Sequence, residues 1–456
     1  MKHTLTEGSV GWHLVKLTIP MIWGVFAVIS SSIIDTYFVA HLGTKPLAAM
    51  SFTFPVVSAL GSLALGLGVG ASSVIARAIG EGDHNKVQRL TTDSLTLSLL
   101  IVGIFIIIGL ATIKPLFTAL GAEPDMLPLI QDYMQIWYLG MIFLVVPMVG
   151  NSAIRAAGNT QVPSLIMIVA GALNASLNPL FIFGLAGFPR LELQGAAIAT
   201  VISWVATLIA SLLFLHYRER MLCFNLPKPQ VVLKSWQSIL YVGLPAAGTS
   251  MITPISIGLI TSIIATYGPL AVAGFGIASR VESFALIVLM ALSAIIGPFV
   301  GQNWGAKKYH RVSQALRLSS LFCLFWGILL AVILAPTAPW LASVFNSNPT
   351  VVAIAATYLV IVPISYAASG MIFISSAIFN ALGKPLPSLV MLLTRMFILY
   401  VPLAYLGSWL FGINGIFFAA CFSNLAVGVG AYLWNRKTCN LQAAKESQQP
   451  SLATVD

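Results

Sequence analysis

The chain has 456 residues, of which 58% are apolar and 8% charged, with a formal net charge of +10 and a mean hydropathy of +0.94. A soluble domain carries about 25% charged residues, so the composition excludes a water-soluble globule and describes a chain that crosses a membrane many times. The positive charges are scattered over short connections and form no stripe, which argues against nucleic acid as a partner.

A spanning helix needs about 20 apolar residues. Twelve such runs occur, at roughly 14–40, 47–79, 92–112, 127–150, 163–185, 193–215, 238–265, 270–302, 315–335, 350–373, 386–408 and 412–434. Turn signals separate them, among them Gly80-Glu81-Gly82-Asp83, Gly158-Asn159-Thr160 and Pro227-Lys228-Pro229. The first run is too long for a cleavable signal peptide and is followed by His41-Leu42-Gly43-Thr44 instead of a small-residue cleavage pattern.

That first run holds one acid, Asp35, within Ser30-Ser31-Ser32-Ile33-Ile34-Asp35-Thr36-Tyr37. An ionised carboxylate in hydrocarbon costs roughly 2.5–3.5 kcal/mol on insertion scales. Asp35 is therefore expected to be protonated part of the time or to sit in a wet cavity, and either state makes it a candidate ion or proton site. The alternative is an acid held by its neighbouring hydroxyls for structure alone. Pro20 removes one backbone hydrogen bond and crowds the turn before it, so a bend is expected there.

Most basic residues fall on alternate connections and at both ends, for example Lys86, Arg89, Arg155, Lys307, Lys308 and Arg436. The opposite connections hold Lys45, Lys114 and Arg190. The positive-inside rule then places both termini in the cytoplasm and Asp35, roughly 9 Å along the helix from His41, in the outer half of the bilayer.

The chain repeats itself at an offset near 225. Pro20 matches Pro245, Gly43 matches Gly268, Gly80 matches Gly305, Ser152-Ala153-Ile154 matches Ser376-Ala377-Ile378, and Pro179-Leu180 matches Pro402-Leu403. Six spans per half is an even number, so both halves start on the same side, as a parallel repeat with a cleft between them. The expected fold is an all-α polytopic membrane protein of twelve transmembrane helices, two six-helix bundles related by a parallel pseudo-two-fold repeat. The expected organisation is an N-terminal lobe at 1–216, a cytoplasmic linker at 217–237, a C-terminal lobe at 238–436 and a disordered tail at 437–456.

The duplication permits an internal comparison. Asp35 pairs with Ile260, Asn174 with Phe397, Asn178 with Val401, Asn151 with Ser375 and Tyr133 with Tyr358. The acid and two amides thus occur in one half only. Asn174 and Asn178, spaced i, i+4, share a helix face, and an amide can serve a carboxyl in either protonation state. Asn178-Pro179 also reads as a helix-kink signature, and Tyr133 also reads as an interfacial aromatic.

Two further charges lie in the second half. Arg280 and Glu282 share the eighth run but, at i, i+2, do not face each other. Glu282 reads either as a structural ion pair with Arg280 or Arg395, or as a cleft residue that attracts a cationic substrate. Aromatics and methionines such as Trp23, Met50, Phe54, Met251 and Phe275 would suit flat apolar cations if they line that cleft. The four cysteines show no paired spacing, so neither a disulfide framework nor a metal site is indicated. No catalytic or nucleotide-binding motif occurs, so neither an enzyme nor a cofactor is expected.

Three stretches carry a resemblance: Asp35-Thr36 through Gly43, Arg155-Ala156-Ala157-Gly158, and Asn174 through Asn178-Pro179. With the 6+6 spans, the chain resembles the multidrug and toxic compound extrusion (MATE) family over about residues 8–436. The acid on the first helix resembles the DinF-type branch. The absence of an acid from the seventh and tenth runs separates the chain from the NorM-type branch.

The resemblance implies a monomeric secondary transporter of the bacterial inner membrane. It would exchange protons for amphipathic, mostly cationic drugs, with Asp35, Tyr133, Asn151, Asn174 and Asn178 as the coupling network and Pro20 as the bending point. An Asp is common where Asn178 stands, and a single carboxylate favours the proton over sodium. The alternatives are a sodium-coupled antiporter and a flippase for a lipid-linked anionic substrate, which would call on Arg280 and Arg395.

Overall fold

The computed structural model describes residues 5–223 and 228–447, and every regular element among them is helical. In chain order these are α1 (Val10–Ala40), α2 (Thr44–Glu81), α3 (His84–Ala119), α4 (Leu127–Ala156), α5 (Gln161–Phe183), α6 (Glu192–Arg218), α7 (Pro229–Ala265), α8 (Pro269–Ala285), α9 (Ile287–Gly305), α10 (Tyr309–Phe345), α11 (Pro349–Ala381), α12 (Pro385–Phe411) and α13 (Ile413–Ser447). Twelve of them, all but α8, are long and apolar enough to cross a bilayer, in accord with the count read from the sequence.

The eighth expected span, 270–302, is interrupted at Leu286, between α8 and α9. The indole of Trp326 explains how the break is tolerated: its Nε1 donates at 3.3 Å to the carbonyl of Ala285. A side chain thus satisfies a backbone acceptor that hydrocarbon would leave bare.

Turn chemistry sets the helix ends. Gly82 stops α2 at φ 79°, a left-handed conformation that favours glycine. Asp83 then starts α3 by accepting the Lys86 backbone N–H at 2.9 Å. At the other end of the chain, α13 continues to Ser447. Residues 437–447, expected as tail, are therefore helical, consistent with the strong helix formers Leu441, Gln442, Ala443, Ala444 and Lys445. Residues 448–456 lie outside the described part.

The contacts divide the chain into two compact units. Among the described residues, unit 1 takes 19–247 and unit 2 takes 5–18 and 248–447. The division therefore falls inside α1 and α7, within three residues of Pro20 and Pro245, and not in the expected linker at 217–237. Close backbone packing accounts for the first half of α7. A Cβ on Gly66 or Gly70 of α2 would run into the backbone of α7 at Gly243 and Ile239. In lipid, where apolar burial does not drive helices together, such small-residue contacts decide which helices associate.

Polar clasps reinforce the division at two places. In unit 1 the buried Asp93 pairs with Arg89, and its carbonyl accepts the Trp236 indole N–H at 3.0 Å. The Thr92 hydroxyl accepts the Cys223 N–H at 2.9 Å, and Gln88 donates to the Arg220 carbonyl at 2.8 Å. In unit 2 the chain start is held by side chains. Leu5 is buried, donating to Gln302 Oε1 at 2.9 Å and accepting from Asn303 and Arg311. Arg311 also donates to the carbonyls of Glu7 and Gly8, and Lys308 to that of Thr6.

Candidate functional site

Within unit 1, α1 and α5 approach each other closely. A Cβ on Gly24 would lie 3.1 Å from Ser164 Cα, so glycine here permits backbone contact between the two helices. That contact brings short side chains within reach. Asn174 and Asn178 occupy successive turns of α5, and both are buried. Asn178 Nδ2 donates to Asp35 Oδ1 at 2.5 Å and to Asn174 Oδ1 at 3.2 Å. Ser31, one turn before Asp35, donates to the same Asn174 oxygen at 3.0 Å. Asn174 Nδ2 donates to Thr200 Oγ1 on α6 at 3.2 Å, and Thr200 donates to the Ala196 carbonyl at 2.9 Å.

The cluster is thus a chain of hydrogen bonds running from one carboxyl through two amides to a hydroxyl. One atom in it is unmatched: Asn178 Oδ1 is buried and has no partner. A buried acceptor without a donor costs about 1–3 kcal/mol. A rotated Asn178 amide would present that oxygen to a protonated Asp35, whose O–H could then donate to it.

The structure brings together Asp35, Asn174 and Asn178 as the sequence led us to expect. Tyr133 on α4 is buried within electrostatic reach of Asp35 but makes no hydrogen bond to it. Asn151, expected in the same network, makes no hydrogen bond to it, and its Oδ1 is buried without a partner. The reason is axial distance: Asn151 lies eighteen residues beyond Tyr133 on α4, about 27 Å along a straight helix. Pro20 lies inside α1, which remains helical across it. Ser31 and Thr200 were missed as members of the cluster. Ser31 stands in the hydroxyl stretch around Asp35, whereas nothing in the sequence links Thr200 to Asn174, 26 residues earlier.

Unit 2 carries a different polar cluster. Tyr358 on α11 donates to Glu282 Oε2 at 2.5 Å, and its ring packs against Phe275 and Phe417. Arg395 Nε donates to Asn424 Oδ1 at 2.7 Å, and Asn424 Nδ2 donates to Ser365 Oγ at 2.8 Å. Among the described residues neither Arg280 nor Arg395 comes within ion-pair distance of Glu282; its carboxylate accepts from Tyr358, with Arg395 in longer electrostatic reach. Arg280 is exposed, while Arg395 lies in a widened helical turn over Thr394–Tyr400. Such π-type turns recur at functional sites.

The MatE family profile matches the chain twice, at residues 20–180 and 245–406. The two matches begin 225 residues apart, the offset of the internal repeat. A FAD transporter of Shewanella oneidensis is 38% identical over 441 residues, covering 96% of this chain and 97% of that protein. The multidrug export protein MepA of Staphylococcus haemolyticus is 26% identical over 416 residues, 90% of each chain. Among solved structures, the Vibrio cholerae MATE transporter VcmN in the bent form superposes with a TM-score of 0.90 at 30% identity, covering 96% of this chain and all of that one. A MATE in the straight conformation superposes at 0.89 with 25% identity, covering 97% and 98%.

Proposed function

The chain belongs to the MatE family, a family of membrane transporters, and from that premise we propose that it exports small organic molecules in exchange for protons taken up at Asp35. The observation that carries this reading is the Asp35–Asn178 pair with its unmatched amide oxygen. In the ionised state the amide N–H donates to the carboxylate. On protonation the carboxyl becomes a donor, and the amide oxygen can receive it. Proton uptake thereby reverses a hydrogen bond between α1 and α5, two helices in backbone contact at Gly24.

The rest of the cycle follows from the same geometry. The switched bond redirects α1, Pro20 lets one segment tilt against the other, and cargo leaves unit 1 as the proton enters. Relatives occur in both bent and straight forms, which supports a two-state helix bundle. One carboxylate with neutral oxygens offers less anionic charge than sodium prefers, which favours the proton. We place the protein in the inner membrane of a bacterium as a monomer, with both termini cytoplasmic and Asp35 in the outer half.

Cargo admits two readings. Amphipathic organic cations are favoured by the multidrug export relatives. A flavin dinucleotide is favoured by the relative that shares 38% identity along nearly the whole chain.

The test uses proteoliposomes holding ethidium or FAD. A pH gradient alone should drive export of at least one of them, a sodium gradient alone should not, and Asp35→Asn should reduce export to the level of empty liposomes while leaving expression intact. Export at the wild-type rate by Asp35→Asn would remove Asp35 as the coupling group, and sodium-driven export without a pH gradient would overturn the choice of ion.

A further inference from the structure

Within unit 2, residues 310–317 of α10 and 432–440 of α13 flank an open cavity of about 680 Å³. On α10, His310, Ser313 and Arg317 recur at i, i+3 and i+7. On α13, Tyr432, Arg436 and Asn440 recur at i, i+4 and i+8, so each helix presents one column of side chains to the cavity. No acid lines it. Neither arginine forms an ion pair or a hydrogen bond among the described residues, and Ser313 Oγ is buried there without a partner.

Both guanidinium groups are exposed at this cavity and reach no carboxylate among the described residues. An anion with several oxygens satisfies both at once, because the planar N–H fork of arginine matches phosphate geometry. Ser313 could contribute a hydroxyl donor beside them.

What lies beyond the cavity identifies the source of such an anion. On α10, Leu321 and Leu324 stand four and seven residues past Arg317, on its face of the helix, and are 54% and 45% exposed. On α13, Val429 and Leu425 stand three and seven residues before Tyr432 and are 54% and 40% exposed. Each column therefore continues from polar residues into bare apolar ones as its helix enters the span. A soluble phosphate gains nothing from those residues, whereas the acyl chains of a lipid would cover them. Basic pockets between helices at a membrane surface are suited to anionic headgroups.

We propose that this cavity binds a phosphate-bearing anion, and that its occupant is the headgroup of an anionic phospholipid, with the phosphate between Arg317 and Arg436 and the acyl chains along Leu321, Leu324, Val429 and Leu425. The site is independent of the Asp35 cluster and of the identity of the cargo.

The experiment places the full-length protein in nanodiscs of phosphatidylcholine and phosphatidylglycerol and measures, by mass spectrometry after extraction into detergent, the ratio of the two lipids retained. Wild type should retain phosphatidylglycerol about tenfold in preference to Arg317→Gln/Arg436→Gln. The Arg317→Lys/Arg436→Lys pair, which keeps the charge and loses the fork, should fall between them. Equal retention by wild type and the glutamine pair overturns the proposal. A parallel arm adds inorganic phosphate to protein in phosphatidylcholine alone. Thermal protection equal to that from phosphatidylglycerol would overturn the lipid assignment in favour of a soluble anion. Should the glutamine pair not fold, a photoactivatable phosphatidylglycerol is offered to wild type. Labelling of the 310–325 and 425–440 segments supports the site, and labelling confined to other segments overturns it.

Discussion

Tyr133 in unit 1 and Tyr358 in unit 2 stand 225 residues apart, at equivalent positions of the repeat, and serve different clusters. Tyr358 donates its hydroxyl to Glu282 and meets two phenylalanines edge-on. Tyr133 sits near Asp35 with no hydrogen bond, while the carboxyl is held by Asn178. A phenol oxygen can also accept from a protonated carboxyl, but its single O–H must then turn away from Glu282 into surroundings set by Phe275 and Phe417. An amide carries donor and acceptor together and reverses by rotating. The duplicated frame therefore holds an acid bonded to a phenol in one unit and an acid bonded to an amide in the other. The prolines are duplicated as well, at 179 and 402, yet α5 continues as an ordinary helix across Pro179 while a widened turn precedes Pro402. The shared frame sets where polar residues can stand, and the unshared residues set what they can do.

The strongest way to break this comparison is to move the acid. Asp35→Asn with Ile260→Asp should remain at background transport, because Phe397 and Val401 offer no amide in place of Asn174 and Asn178. Ile260 is 1% exposed, so an unpartnered carboxylate there should also lower Tm, at a cost of roughly 2.5–3.5 kcal/mol. Recovered efflux would show that the amides of unit 1 are dispensable.

Asn178→Ala should come next in size. It removes a charge-assisted hydrogen bond of about 1.5–3 kcal/mol, which corresponds to roughly a ten- to hundredfold fall in proton-driven efflux. An unchanged rate in proteoliposomes would show that the amide serves only the local helix structure beside Pro179.

Tyr358→Phe sharpens the contrast from the other side. Thermal unfolding should show a loss of about 1.5–3 kcal/mol, with proton-driven efflux still present. A variant that keeps its Tm and loses coupling would make Glu282, and not Asp35, the acid that switches.

The smallest effect is expected from Pro20→Ala. Pro20 lies fifteen residues before Asp35, about 22 Å along a straight helix, so it touches neither the acid nor the amides. Equilibrium dye binding should stay near wild type while turnover slows a few-fold, both read on one purified sample. Lost binding would mean that the proline shapes the pocket directly.

Much of the architecture was legible in one dimension. Twelve apolar runs, a 225-residue repeat and an excess of basic residues on alternate connections are properties of residue order. They follow from the cost of placing charge or bare backbone in hydrocarbon, which acts on each segment whatever its neighbours. The family resemblance was equally local, carried by short stretches at Asp35, Arg155 and Asn174. The pairing of Asn174 with Asn178 followed from helical periodicity alone.

Partnership across helices was not legible in this way. Asn151 and Asn174 are both amides in spans, yet only Asn174 joins the cluster, because depth along each helix and the closeness of α1 to α5 decide which short side chains meet. Glu282 had two arginines as candidate partners and bonds a tyrosine, with Arg395 in longer electrostatic reach. Thr200 carried no signal of its role, and the break at Leu286 depends on an indole forty residues away in sequence. The sequence by itself determined the number of crossings, the duplication and which half carries Asp35 with its two amides, since burial cost and periodicity are set residue by residue. Only the tertiary structure decided which donors reach that acid and to which unit each half of α1 and α7 belongs, since hydrogen bonds act over about 3 Å and residue order does not specify distances that short between separate helices.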